Sequence, residues 1–176
     1  SAAGFQRSRV SSANAVPPST GSASVGRSWR QIGPSTGARL ERPSAPPSKQ
    51  FANSVHCVRL SKDGLVYVCD RGNNRVQVFR KDGTFVTEFF GSQLPATDTA
   101  DLVFSPDAAQ RYIVLADGQS SYLRILSRSD GKFLGSFARH GRQAGEFRSL
   151  HNLGTDSKGN LYTGEAGSGR RLQKFT

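Results

Sequence analysis

The sequence predicts an all-β fold assembled from repeated four-stranded antiparallel units, behind an N-terminal segment without persistent structure. Three observations predict it. Short runs rich in β-branched and aromatic residues alternate with Asp-Gly, Lys-Gly and Asn-rich turns. The pattern recurs: Asp70, Asp117 and Glu165 lie 47 and 48 residues apart, and Gly83 and Gly131 lie 48 apart. Residues 1–50 show neither feature.

In the first copy, Val58-Arg59-Leu60 leads through Ser61-Lys62-Asp63-Gly64 into the apolar run Leu65-Val66-Tyr67-Val68. Asp70 and the turn Gly72-Asn73-Asn74 follow, then the alternating Val76-Gln77-Val78-Phe79, the hairpin signal Lys81-Asp82-Gly83, and Phe85-Val86-Thr87-Glu88-Phe89. The second copy runs Leu102-Val103-Phe104, Tyr112-Ile113-Val114-Leu115, Leu123-Arg124-Ile125-Leu126, Asp130-Gly131 and Phe133-Leu134-Gly135-Ser136-Phe137. A third reads Leu153-Gly154-Thr155, Leu161-Tyr162-Thr163 and Leu172-Gln173-Lys174-Phe175, where it stops after three strands. None of these segments has the 3.6-residue apolar period of helical repeats. Four short antiparallel strands in a period of about 40–50 residues describe a β-propeller blade. Blades are therefore expected at about 51–91, 92–140 and 141–176, two complete and one incomplete, within a domain spanning 51–176. A propeller closes with about four to eight blades, so a partial ring is expected, either a piece of a larger propeller, which is the simpler reading, or an arc that completes a ring by association. Its last strand is expected as an unpaired edge, with Leu172 and Phe175 exposed.

Residues 1–50 hold 11 Ser, six of the eight Pro, seven Lys or Arg, and Glu41 as the single acid. Apolar residues such as Phe5, Val16, Trp29 and Leu40 are isolated, and Val16-Pro17-Pro18 and Pro43-Ser44-Ala45-Pro46-Pro47 break both helix and sheet. Such a segment cannot offset a backbone ordering cost of about 1–2 kcal/mol per residue, so a disordered basic leader or linker is expected. The net charge of +11 divides unevenly, because residues 51–176 carry 17 basic against 12 acidic residues. With few aromatics interleaved among the arginines, that modest excess argues against nucleic acid as the partner. No window approaches the ~18 consecutive apolar residues of a membrane span. Cys57 and Cys69 are too few for a four-cysteine zinc module. They read as two small buried hydrophobes, or as a cross-strand disulfide if Val58 pairs with Val68.

The stretch Gly64-Leu65-Val66-Tyr67-Val68-Cys69-Asp70-Arg71-Gly72-Asn73-Asn74-Arg75-Val76-Gln77-Val78-Phe79 resembles the NHL repeat, which builds six-bladed propellers. Asp156-Ser157-Lys158-Gly159-Asn160-Leu161-Tyr162 fits the same pattern, and Gly141 to Phe147 resembles its link between blades. Two histidines narrow the resemblance. His56 and His151 each stand two residues before the apolar residue that opens a first strand (Val58, Leu153), and they are 95 residues apart, which is two blades. Imidazole is the commonest protein metal ligand. This arrangement is similar to that of the peptidyl-hydroxyglycine alpha-amidating lyases, which hold zinc in the channel through three histidines on alternate blades. The resemblance implies His56 and His151 as zinc ligands. Through the dipeptide Asp70-Arg71, it implies Arg71 as the catalytic group that orients or polarises substrate. It also implies a small-molecule or peptide ligand at the channel and an extracytoplasmic location, periplasmic or secreted. The family's third histidine and its tyrosine have no counterpart before His56, since residues 1–50 contain no His and no Tyr. The site is half present, and the chain by itself is expected to be inactive.

Other readings stand beside these. His56 and His151 also fit polar residues at a solvated blade edge, and Arg71 or Arg75 fits a structural ion pair with Asp70. The equivalence of Asp70, Asp117 and Glu165 favours a turn role for all three. The functional alternatives to a metal-dependent carbon–nitrogen lyase are a non-catalytic propeller that binds a protein or ligand, and an RNA-binding one.

Overall fold

The computed structural model describes residues 10–14, 24–25, 50–52, 54–90 and 98–176. Two short strands, β1 (Val10–Asn14) and β2 (Ser24–Val25), precede the repeats. The first repeat forms β3 (Val55–Leu60), β4 (Val66–Asp70), β5 (Arg75–Phe79) and β6 (Phe85–Phe90), hydrogen-bonded in that order. The second forms β7 (Thr99–Phe104), β8 (Tyr112–Asp117), β9 (Tyr122–Ser127) and β10 (Phe133–Phe137). The third forms β11 (Leu150–Thr155), β12 (Leu161–Glu165) and β13 (Arg171–Phe175). Every pairing between these strands is antiparallel, and β7 packs against both β3 and β11, so the first strands of the blades stand side by side. These are the stacked blades of a propeller. No helix among the described residues is long and apolar enough to cross a membrane.

Turn chemistry sets the strand ends. Gly64 takes φ +84° while its N–H closes the Ser61–Gly64 turn on Ser61 O at 3.0 Å. Gly131, at φ +69°, is also a packing requirement, because a Cβ there would lie 2.4 Å from Phe89 of the preceding blade. In the third blade, Asp156 organises the equivalent turn. Its carboxylate accepts the Asn160 side-chain amide at 2.6 Å, the Tyr162 hydroxyl at 3.1 Å, and the N–H groups of Asn160 and Lys158 at 3.0 and 2.9 Å.

The Asn160 amide is the largest influence holding the Asp156 carboxyl down, at about 2. A pKa lower in the folded than in the unfolded chain gives stability that is present above about pH 4 and lost as pH falls through 2. A carboxyl NMR titration should place Asp156 near 2, and Asn160→Ala should move the midpoint up toward the ordinary Asp range. A midpoint near 4 in the parent protein would contradict this account of the turn.

Alternation decides which face of each blade is buried. Tyr67, Cys69, Val76, Val78 and Phe89 of the first blade pack against Leu102, Ile113, Leu115 and Leu126 of the second. Val103, Ala116 and Leu123 pack in turn against Leu150, Leu153, Leu161 and Phe175 of the third. Burying each large aliphatic side chain contributes about 1.5–3 kcal/mol, so these two layers hold the arc together.

The third blade corrects one expectation. Its last strand is not an open edge, because β1 pairs with β13 in the register Val10↔Phe175 to Asn14↔Arg171, and β2 pairs with β1. Unpaired strand N–H and C=O groups recruit any chain without proline, whatever its side-chain period, and Val10–Asn14 is such a chain. Phe175 is buried against Phe137 and Phe147, with ring centres 6.0 and 6.1 Å away, whereas Leu172 is exposed as expected. Apart from β1, β2 and Gln50, the N-terminal segment expected to lack structure lies outside the described residues.

Candidate functional site

The same irregularity opens the first strand of every blade. Register shifts between Val55 and Cys57, between Thr99 and Asp101, and between Leu150 and Asn152. The extra residues are His56, Ala100 and His151, so the repeat carries one β-bulge in three copies. Stacking β3, β7 and β11 gathers these bulges at one end of the strands. There the half-buried rings of His56 and His151 meet edge to face, with centroids 4.6 Å apart and planes at 75°.

Both rings are held through the same atom. His56 Nδ1 lies 2.7 Å from the carbonyl oxygen of Ala100, and His151 Nδ1 lies 2.9 Å from Asn152 Oδ1. Among the described residues neither Nε2 has a hydrogen-bond partner. Two imidazoles sharing one zinc at about 2.0–2.1 Å per nitrogen place their ring centres roughly 5 Å apart. The observed ring separation is of that size, so these two residues could serve as ligands only together with others. No third ligand joins them among the described residues. The one group of three donors, Cys57, Cys69 and Asp101, lies within 4.8 Å. Its sulfurs are bonded to each other, however, and its carboxylate oxygens are filled by donors.

Arg71 stands in the short 3-10 turn Arg71–Asn73, which packs against β7. Its guanidinium is engaged with Asp98, Nε at 2.9 Å and Nη2 at 2.7 Å, and Asp98 also accepts Gly118 N–H at 2.9 Å. The ion pair that the turn predicts for Asp70 is made by Arg75 instead. Arg75 Nε donates to Asp70 at 2.7 Å, and both side chains are fully buried. Arg124 repeats this pair with Asp117, and Arg171 with Glu165, so these acids at one position are structural in all three blades. Each also receives a backbone N–H: from Ala52 to Asp70, Ser120 to Asp117 and Arg148 to Glu165.

One structural feature went unread in the sequence, and one pair of alternatives is resolved. Asp101, buried in β7, accepts Arg59 of the first blade at 2.7 Å and the Leu153 N–H of the third at 2.9 Å. An acid inside the apolar run Ala100-Asp101-Leu102-Val103-Phe104 was the available signal. Cys57 and Cys69 face each other in the ladder with Cα atoms 4.8 Å apart and form a disulfide, so the reading as two free buried hydrophobes is corrected. The Val58–Val68 pairing on which the disulfide depended is present. At the opposite end of the strands, a cleft of about 550 Å³ lies between the first two blades around Arg128. That guanidinium is committed to Tyr67 Oη, Ala109 O and the Asp63 carboxylate, and the Asp63 pKa is lowered by it.

Comparisons with known proteins agree with this architecture. Residues 53–79 match the NHL repeat family. The chain is 29% identical over 125 residues to NHL repeat-containing protein 3 of Homo sapiens, covering 70% of this chain and 35% of that protein. Its fold is similar to a streptogramin B lyase structure, with a TM-score of 0.55 and 15% identity over 73% of this chain and 39% of that one. It is also similar to the Cps50 (Swd1) β-propeller domain of Myceliophteria thermophila, with a TM-score of 0.51 and 13% identity over 69% and 37%. The chain thus spans about a third to two fifths of the length of these proteins. At such identities the solved structures establish the propeller fold alone.

Proposed function

We propose that this chain, an arc of a propeller carrying an NHL repeat, supplies two ligands of a zinc site in the channel of the complete ring. One observation carries this reading: His56 and His151, two blades apart in sequence, are brought to a ring separation of 4.6 Å with both Nε2 atoms uncommitted. Rigid strands hold both imidazoles, which suits a preformed site, and the remaining ligands would come from other blades. Bound there, zinc would act as a Lewis acid toward a substrate oxygen. Arg71, oriented by Asp98, would fix the substrate in a carbon–nitrogen lyase of the amidating-lyase kind. The disulfide supports an oxidising, extracytoplasmic compartment.

A second reading has its own support. With Arg71 tied into an ion pair and two candidate ligands brought together among the described residues, a propeller that binds a ligand or protein without catalysis needs nothing further. RNA binding is disfavoured, because Arg59, Arg75, Arg124, Arg128 and Arg171 are spent on internal carboxylates.

Zinc titration of the chain tests the site. Weak binding is expected, and either His56→Ala or His151→Ala should reduce it by at least the ~10–100-fold that loss of an outer-shell partner costs. Unchanged affinity in both variants would end the ligand assignment. In a complete ring, Arg71→Ala with retained zinc and lost lyase turnover would select the enzyme, and unaltered turnover would exclude Arg71 from it.

A further inference from the structure

We propose that Asn152 and the backbone carbonyl of Ala100 are the positioning partners of the two channel histidines, holding both rings with the proton on Nδ1 and the lone pair on Nε2. The role rests on the zinc reading above, but the tautomers do not. The Ala100 oxygen can only accept, so the contact at 2.7 Å requires the proton to be on His56 Nδ1. The Oδ1 of Asn152 imposes the same on His151 at 2.9 Å. A solvated neutral histidine side chain prefers its proton on Nε2, so these contacts select the less favoured form twice.

The bulge explains how. Ala100 is the residue of the second blade equivalent to both histidines, and its carbonyl stands where the ring of the preceding blade arrives. For His151 the side chain of the next residue in its own strand takes the corresponding place. Acceptors on Nδ1 orient a ring about its χ angles and raise the basicity of Nε2, which is how outer-shell groups prepare metal-binding histidines. Both rings consequently offer the same kind of nitrogen within one small space.

Long-range ¹H–¹⁵N correlation spectra of the metal-free chain, at a pH where both rings are neutral, read the tautomers directly. Both rings should carry the proton on Nδ1. Asn152→Ala should release His151 toward the Nε2–H form, leave the His56 signal unchanged, and weaken zinc binding by about 10–100-fold. Asn152→Asp keeps the acceptor oxygen and should restore both the tautomer and parent-like affinity. The unchanged His56 signal also reports that the variants fold, which the exposure of Asn152 favours.

A His151 ring protonated on Nε2 in the parent chain would overturn the proposal, since the Asn152 amide would then be donating to Nδ1. Equal zinc affinity in Asn152→Ala and the parent would overturn its positioning role. Nδ1-protonated rings in a chain that binds no zinc would remove the metal reading and leave the orienting contacts standing.

Discussion

Asp101→Ala is expected to lower the stability of the arc by about 3–5 kcal/mol, because it removes one carboxylate that joins three blades. Asp101 is 1% exposed on β7. Its oxygens accept Arg59 Nη2 of the first blade at 2.7 Å, Leu102 N–H of its own strand at 2.8 Å and Leu153 N–H of the third blade at 2.9 Å. Arg59 is more than a third exposed and can turn to water, so its loss counts for little. The two N–H groups are buried, and each left without a partner costs about 1–3 kcal/mol. Asp101→Asn retains one acceptor oxygen and should lose roughly half as much. Urea unfolding followed by fluorescence or circular dichroism would measure both. Because the first and third blades are joined mainly through the second, Asp101→Ala should also broaden the transition. A loss below about 1 kcal/mol would show that the carboxylate does not link the blades.

Arg75→Ala should cost a similar amount, about 3–5 kcal/mol, for a different reason. Arg75 is buried to 1% exposure, and its guanidinium is divided among Asp70 at 2.7 Å, Glu88 at 3.1 Å and the Gln50 carbonyl at 3.1 Å. Removing it leaves the Asp70 carboxylate, itself 0% exposed, without its counter-charge, although the Asn73 amide and the Ala52 N–H still donate to it. A buried charge without its counter-charge carries a large desolvation penalty. Arg75→Lys is not a rescue, because a compact ammonium cannot reach two carboxylates and a carbonyl at once. Adding Asp70→Asn to Arg75→Ala removes the stranded charge and should recover part of the loss in thermal unfolding. If the double variant is no more stable than Arg75→Ala alone, the penalty does not come from Asp70.

The strands and turns were legible because their causes are local. Alternation in Val76-Gln77-Val78-Phe79 and the Asp-Gly turns act within a few residues, and the 47–48-residue recurrence needed only counting. Equivalence of His56 and His151 was legible by the same count, and it anticipated that stacking would bring them together. Their separation, the bulges beneath them and the Ala100 carbonyl were not, since a bulge leaves the residue types on both strands unchanged. Arg71 and Arg75 are separated by a single turn and look alike in sequence. Only the path of the chain out of β4 gives Asp70 to Arg75 and turns Arg71 toward Asp98 of the next blade.

The sequence by itself determined an all-β chain of recurring four-stranded units, the blade faces, and the two positions from which imidazoles could converge. These follow from side-chain period and turn chemistry, which each segment carries alone. Tertiary structure decided the partners: β1 on the edge of β13, Cys57 with Cys69, Asp101 across three blades, and His56 against His151. Hydrogen bonds and ion pairs are selected by which atoms the twist and stacking of the blades bring within about 3 Å, a distance that spacing along the chain does not encode.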